Sequence, residues 1–172
     1  MNPEGERELR EYIAARQAAL FRTALLLTGN REQAEDLLQA ALTKVAAQWS
    51  RVRRTEQPDA YVRRMLYHEQ VTWWRRLTNQ RERPAESVPE RAAVGDETGR
   101  VDLRVSLTQA LRQLTPKQRT VLVLRYYEDL PEAEIASIMG ISVGTVRSQA
   151  HRSLARLRVL CPDLDSYQEA SP

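Results

Sequence analysis

The sequence contains one cysteine, Cys161, and two histidines, His68 and His151, among its 172 residues. A single cysteine cannot form a disulfide within the chain, and two distant histidines cannot assemble a zinc-ligand cluster. The sequence also shows no activated nucleophile and no glycine-rich phosphate-binding loop. We therefore predict that the protein holds no metal and no other cofactor, and that it is not an enzyme.

Long apolar runs are absent as well. No segment approaches the roughly 18 consecutive apolar residues that a membrane-spanning helix needs. The N-terminal segment MNPEGERELREYIAARQ is acidic and helical in pattern, whereas a secretory signal begins with a basic stretch and continues with an apolar one. These features predict a soluble, cytoplasmic protein without a membrane partner.

Lysine is scarce, since Lys44 and Lys117 are the only two and arginine supplies nearly all the positive charge. The formal net charge is +3, with 42% hydrophobic and 28% charged residues, a globular composition that permits nucleic-acid binding. Guanidinium groups bind phosphate and guanine through a planar fork. A GC-rich genome also produces chains rich in arginine, so composition alone does not decide between these explanations.

Apolar residues recur with a helical period along most of the chain, and no segment shows a convincing strand pattern. The pattern predicts an all-α protein with small domains at 1–80 and 101–160, a flexible linker at 81–100 and a polar tail at 161–172. In the first domain we expect helices at 6–28, from 31 to about 48, and at 59–77. In the second domain we expect a helix at 101–113 and a helix that begins at Pro116 and buries Tyr126. Two further helices should follow Pro131.

The segment from Pro131 to Leu160 has the pattern of a helix-turn-helix motif. It reads PEAEIASIMGISVGTVRSQAHRSLARLRVL. Gly140 ends the first helix, because glycine tolerates left-handed backbone, and Ser142 stands at the N-cap position of the second. Ala136, Gly140 and Val146 have the spacing that lets the two helices approach closely.

The outer face of the second helix is basic and polar, and no acidic residue lies between Ile135 and Pro162. Such a face is a candidate surface for a phosphate backbone and base edges. The alternative is an ordinary helical hairpin with a solvated basic face, because chance matches to this motif are common.

The third predicted helix carries aromatic and basic side chains together, and a basic loop precedes it. Tyr61, Tyr67, Trp73 and Trp74 alternate with arginines. Aromatic rings can stack on unpaired bases while arginines hold phosphates, which favours a single-stranded nucleic-acid surface. Aromatic residues on a helix are, however, more often core residues. We expect Trp74 to be buried and Trp73 to be partly exposed.

These features together resemble a bacterial RNA polymerase sigma factor of the extracytoplasmic-function (ECF) type, in particular its small actinobacterial group. The segment LTPKQRTVLVLRYYEDLPEAEIASIMGISVGTVRSQAHRSLARLR looks like sigma region 4 throughout. In region 2, AEDLLQAALTKV looks like the polymerase-binding helix and AYVRRMLYHEQVTWWRR like the promoter-melting helix. The resemblance covers nearly the whole chain and implies a three-helix region 2 domain and a four-helix region 4 domain.

The resemblance implies three sets of site residues. The −35 element would be read by Val143, Gly144, Thr145, Arg147, Ser148, His151 and Arg152. The −10 element would be recognised and opened by Arg51, Arg53, Arg54, Gln57, Tyr61, His68, Trp73, Arg75 and Arg76. Core polymerase would be bound by Asp36, Leu37, Gln39, Leu42 and Lys44. Ala40 stands where many members have an acidic residue, and His68 where many have asparagine.

The resemblance also implies the partners. These are core RNA polymerase, through the largest-subunit clamp helices and the flap, and promoter DNA, with an anti-sigma factor as a further candidate. One rival interpretation is a helix-turn-helix regulator that binds operator DNA without being a polymerase subunit. That class predicts a receiver or ligand-binding module, and the sequence shows no pattern of either. Another rival is a sigma-like interaction protein that needs no base-reading side chains.

Overall fold

The computed structural model describes residues 2–80 and 99–168, and every regular element in these ranges is helical. The chain divides into two compact units, Met1–Trp73 and Trp74–Pro172. The prediction of an all-α protein with two helical domains is confirmed. The predicted linker lies outside the described residues as far as position 98. No helix in the described ranges is long and apolar enough to cross a membrane.

The first unit is built on a pair of packed helices. Its elements are α1 (Pro3–Thr28), α2 (Arg31–Ala47), α3 (Trp49–Val52) and the first part of α4 (Pro58–Gln80). α1 packs against α2, and the short α3 contacts both. Gly29 ends α1 in a left-handed conformation, with φ of 71°. Asn30 then caps α2, since its side-chain oxygen accepts a hydrogen bond from the N–H of Gln33 at 3.0 Å.

α4 is fixed to α1 by a buried polar side chain as well as by apolar contacts. Gln70 is completely buried, and its Nε2 donates to the carbonyl oxygen of Leu27 at 3.1 Å. Leu27 lies in the last turn of α1, where carbonyl groups have no intrahelical N–H partner. Gln70 therefore caps the C-terminal end of α1 from a neighbouring helix. The buried apolar residues of this part of α4 are Val62, Leu66, Tyr67 and Val71.

The structure corrects the prediction of a basic loop after position 48. A short helix, Trp49–Val52, occupies its start. Trp49 and Val52 are both buried, and a spacing of three residues places them on one side of a helical turn. Burial of this pair explains the extra turn, which makes the first unit more than a three-helix domain.

α8 is the central helix of the second unit. The described elements are α5 (Gly99–Gln113), α6 (Pro116–Leu122), α7 (Glu132–Met139), α8 (Val143–Leu160) and α9 (Asp163–Gln168). α8 contacts α5, α6, α7 and α9. This unit therefore presents one long helix on a scaffold formed by the others.

The predicted helix boundaries of the second unit are confirmed by their caps. Thr115 and Gln118 form a reciprocal capping box at the start of α6. Gly140 ends α7 with φ of 63°, and the Oγ of Ser142 accepts a hydrogen bond from the N–H of Thr145 at 3.1 Å. Val146 is completely buried. The helix-turn-helix predicted from the spacing is thus present.

Two expectations for this unit were wrong. Tyr126 is 56% exposed rather than buried, because Val123–Tyr127 winds as a π-helical turn and the period changes after α6. The predicted polar tail contains α9, so the unit has more than four helices. Asp165 in α9 forms an ion pair with Arg158 of α8, with 3.1 Å between Oδ1 and Nε.

A buried arginine holds α6 against the end of α5. Arg119 is 5% exposed, and its Nη1 donates to the carbonyl oxygen of Leu111 at 3.1 Å. Burial and, to a smaller extent, the nearby charge of Arg112 together lower the pKa of Arg119 to about 10. The guanidinium therefore stays protonated at neutral pH. No periodic feature of the sequence had assigned Arg119 to the core.

The two glycines at the helix-turn-helix should respond oppositely to alanine. Gly140→Ala should destabilise the protein by about 1 kcal/mol, because a Cβ is strained at a φ of 63°. Gly144 lies inside α8, and a Cβ there meets only the Oγ of Ser142, at 3.9 Å. Gly144→Ala should therefore stabilise by about 0.5 kcal/mol through helix propensity. Urea unfolding of the two variants checks this, and two shifts of the same sign would contradict it.

Candidate nucleic-acid interface

The outer face of α8 carries the predicted −35 residues. Val146 and Ala150 point into the unit, and Arg147, His151 and Arg152 are exposed. A spacing of four and five residues brings the last three to one side of the helix. Within α8, Val143–Leu160, there is no acidic residue. No carboxylate of α8 itself therefore neutralises the basic side chains on its outer face.

Arg147 is nevertheless paired with an acid from the neighbouring helix. Its Nε and Nη2 donate to the same carboxylate oxygen, Oε2 of Glu132, at 3.1 and 2.8 Å. The hydrogen bond lowers the pKa of Glu132 and raises that of Arg147. Glu132 lies in the first turn of α7, where the helix dipole also favours a carboxylate.

The N-terminal turn of α8 is ordered by its own hydroxyl groups. Those of Ser142 and Thr145 are hydrogen-bonded at 2.8 Å, and the Oγ of Ser148 donates to the carbonyl oxygen of Thr145 at 3.1 Å. Arg152 donates to the carbonyl oxygen and to the Oγ of Ser148, each at 3.4 Å. Exposed Gly144 and Val143 leave the backbone of this turn open to an approaching phosphate.

The predicted −10 residues between α2 and α4 differ in their surroundings. Arg51, Arg54 and Gln57 are exposed. Arg53 is half-buried, and its Nη1 donates to Oε2 of Glu8 on α1 at 2.7 Å. This hydrogen bond raises the pKa of Arg53. The structure thus shows three outward polar side chains around one anchored arginine.

The predicted −10 residues in the first part of α4 lie along one side of the helix. Tyr61 is half-buried, and its hydroxyl donates to Oε1 of Gln48 at 3.3 Å. His68 is two turns further along on the outer side, and its pKa is lowered by burial and by the charge of Arg64. Tyr67 is buried and is therefore a core residue rather than a stacking platform.

The last turns of α4 do not follow the expected pattern of burial. Trp73 and Trp74 are both half-buried, so the expectation that Trp74 is a core residue was wrong. The guanidinium of Arg75 lies over the Trp74 ring, 5.7 Å from its centre. Within the second unit, Arg75 donates to the carbonyl oxygen of Met139, and Arg76 is exposed.

Two of the predicted polymerase-binding residues of α2, Gln39 and Leu42, line a groove between α1 and α2. Asp36 and Gln39 are exposed, and Leu42 is half-buried in the groove wall beside Phe21. Leu37 is only 7% exposed, so its side chain belongs to the core of the first unit and supports the surface from beneath. Lys44 forms an ion pair with Glu69 of α4. The other side chains lining the groove are Ala14, Gln17, Ala18, Arg31, Glu35, Leu38, Thr43 and Ala46.

Comparison with known proteins assigns the family. The model described as Sigma-70, region 4 matches residues 104–157. The chain is 40% identical to the RNA polymerase sigma-E factor of Streptomyces coelicolor over 161 residues, which are 92% of this chain and 90% of that protein. It is 31% identical to the ECF RNA polymerase sigma factor SigL of Mycobacterium tuberculosis over 156 residues, covering 86% and 85%. The chain belongs to the ECF sigma factors.

A solved structure agrees with this family fold. The sigma factor RpoE of Bartonella quintana, crystallised with the anti-sigma factor NepR, matches with a TM-score of 0.62 and 23% identity, covering 90% of this chain and 96% of that one. As a sigma factor, the protein binds core RNA polymerase and directs initiation at promoters with −10 and −35 elements. The family assignment favours this function over that of an independent operator-binding regulator.

Sequence reasoning missed three acidic residues in this sigma factor. Glu132, Glu8 and Glu69 each form an ion pair with a predicted site residue: Arg147, Arg53 and Lys44. The partners are 15, 45 and 25 residues apart, beyond the reach of any helical spacing rule. Within the described ranges, no cluster of histidine, cysteine or acidic residues could hold a metal ion.

Proposed function

We propose that this sigma factor reads the −35 element with the exposed face of α8. The observation that carries this proposal is the exposed side formed by two arginines and a histidine, Arg147, Arg152 and His151, on a helix without an acidic residue. An α-helix fits the major groove, where an arginine can bind O6 and N7 of guanine with two hydrogen bonds. The backbone and hydroxyl groups of Val143, Gly144, Thr145 and Ser148 would contact phosphates and fix the register.

The −10 element would be bound by the first unit. Arg51, Arg54 and Gln57 project from the segment before α4, and the adjoining side of α4 carries Tyr61 and His68. Cationic and aromatic side chains along one surface suit an opened strand, since arginines neutralise phosphates and rings stack on unpaired bases. In this proposal Arg53 serves mainly to hold the segment on α1. Trp73 extends the set at the end of the first unit, whereas Arg75 and Arg76, which are also predicted for the −10 element, belong to the second unit.

Core polymerase would dock on α2. Asp36, Gln39 and Lys44 provide polar contacts, and Leu42 and the adjoining groove provide apolar area for a partner helix. Polymerase would also fix the separation of the two DNA-reading surfaces, which raises the effective concentration of the second contact once the first has formed. Region 2 would comprise residues 1–80, which include the whole first unit, and region 4 would comprise residues 101–160.

Three further features belong to this proposal. The protein would act in the cytoplasm and would catalyse no bond chemistry itself, because initiation chemistry belongs to the polymerase. An anti-sigma factor is a candidate partner, supported by the complex in which the Bartonella quintana relative was solved. A regulator that binds operators without polymerase remains the contrasting model, and it predicts DNA binding that does not depend on core enzyme.

Arginine-to-alanine variants in reconstituted transcription test the proposal. Arg147→Ala should lower −35-dependent initiation by about 1–3 kcal/mol, or about 5- to 150-fold, because the bidentate base contact is lost. Genomic promoters are first identified with core polymerase and the wild-type protein. Arg158→Ala is the matched control, since that side chain is paired with Asp165 near the end of α8. Co-purification with core polymerase should be unchanged in both variants, and its loss in Arg147→Ala would contradict the assignment.

A further inference from the structure

The contact between Arg147 and Glu132 joins an exposed side chain to an anchored one. The Arg147 side chain is 71% exposed, and that of Glu132 is 26% exposed. The acid comes from α7, which packs directly on α8 within the same unit. Glu132 therefore provides a fixed point from which the long arginine side chain extends.

The geometry of the pair leaves one edge of the guanidinium for another ligand. Glu132 receives hydrogen bonds from Nε and Nη2, which form the side edge of the group. The terminal edge, formed by Nη1 and the second hydrogen of Nη2, is not used by this contact. Guanine offers two acceptors, N7 and O6, that match such an edge. Arg147 can thus bind the carboxylate and a base at the same time.

We infer that Glu132 is a positioning residue that sharpens the base preference of Arg147 in the −35 element. The inference rests on the proposed role of Arg147 in base readout. An unrestrained arginine samples many rotamers, and ordering it on binding costs free energy. The carboxylate fixes the orientation of the terminal edge of the Arg147 guanidinium before DNA binds. The side chain therefore cannot readily reorient when an incorrect base occupies the position.

Glu132 also opposes the contact that would weaken discrimination. Without the carboxylate, the Arg147 guanidinium can turn to the nearest phosphate, a contact that carries no sequence information. Phosphate repels the ionised carboxylate, which makes this orientation unfavourable while Glu132 is present. The hydrogen bond from Arg147 and the charges of Arg147 and Arg125 lower the pKa of Glu132, so the acid is ionised at neutral pH.

The test measures initiation by reconstituted holoenzyme on promoters in which each −35 position is varied singly. At the position read by Arg147, wild type should prefer one base by about tenfold or more. Glu132→Ala should reduce that preference to about two- to threefold, with the other positions unchanged and with maximal activity within about threefold of wild type. Glu132→Gln, which keeps an acceptor oxygen, should give an intermediate preference.

Two comparisons separate a failure of this inference from a failure of the proposed function. Glu134→Ala removes a charge from the same helical turn and should leave the base profile unchanged. The double variant Glu132→Ala/Arg147→Ala should have the profile of Arg147→Ala alone, because Glu132 acts through Arg147. If Arg147→Ala changes the profile but Glu132→Ala does not, the positioning role is wrong. If Arg147→Ala changes nothing, the proposed readout itself is wrong.

Discussion

Replacing Arg119 by alanine should lower the free energy of unfolding of the second unit by about 3 kcal/mol. The variant loses a charged hydrogen bond to the carbonyl oxygen of Leu111 and the packing of a buried aliphatic stem. Arg119→Met keeps most of the stem volume and should recover about half of the loss. Urea unfolding monitored by circular dichroism measures the change, and hydrogen exchange in α7 and α8 assigns it to this unit.

Arg104 provides the matched control for this variant. It is an exposed arginine of α5, so Arg104→Ala should change stability by less than about 0.5 kcal/mol. An equally small effect of Arg119→Ala would mean that the contact with Leu111 contributes little. Loss of exchange protection in α1 and α2, rather than in α7 and α8, would place the effect in the wrong unit.

Gln70→Ala should destabilise the first unit by a similar amount, about 2–3 kcal/mol. The side chain is completely buried, and its amide nitrogen caps the carbonyl oxygen of Leu27. Alanine removes the amide donor from the carbonyl oxygen of Leu27 and leaves a cavity between α4 and α1. Because the proposed −10 surface lies partly on α4, promoter opening should fall more steeply with temperature than in wild type. Unfolding and exchange measurements, and open-complex formation between 20 and about 45 °C, would show both effects.

Gln17→Ala is the control for the Gln70 variants. Gln17 is an exposed glutamine on α1, and its replacement should leave the unfolding midpoint within experimental scatter. Gln70→Leu tests the hydrogen bond with less change in volume and should be less harmful than alanine. If Gln70→Leu is as stable as wild type, packing rather than capping explains the burial of this residue.

The two units of this sigma factor are stabilised by the same kind of hydrogen bond. In each, a buried polar side chain from a later helix donates to a carbonyl in the last turn of an earlier helix. The last four carbonyls of a helix need partners outside it, and cations are also favoured there by the helix dipole. Gln70 and Arg119 therefore fix the angle between the two helices that each of them joins, which apolar packing alone specifies less sharply.

Local signals predicted most of the helix boundaries. Asn30, Thr115 and Ser142 act through backbone groups three residues away, so their capping roles are encoded in short segments. Gly140 was predicted for the same reason, since its conformation depends on one residue. The exposed face of α8 also followed from sequence, because an uninterrupted helical period distinguishes buried from exposed positions.

The features that escaped prediction depend on distant residues or on a change of period. The π-helical turn at Val123–Tyr127 shifts Tyr126 outward, which a constant helical period does not anticipate. Burial of Arg119 and Gln70 becomes favourable only when a particular carbonyl lies opposite them. The partner of Arg147 is likewise set by the packing of α7 on α8, although Glu132 is visible in the sequence as an acid just before the motif.

The pairing of Arg147 with Glu132 should also affect how ionic strength changes the affinity of α8 for DNA. A cation that neutralises a DNA phosphate displaces condensed counterions, and each such contact steepens the fall of affinity with salt by about 0.9 logarithmic units per tenfold increase. An arginine already balanced by a carboxylate of its own protein displaces almost none if, as proposed, it contacts a base rather than a phosphate. Although α8 contains no acid, its affinity for DNA should fall with salt concentration as if the helix carried one cation fewer.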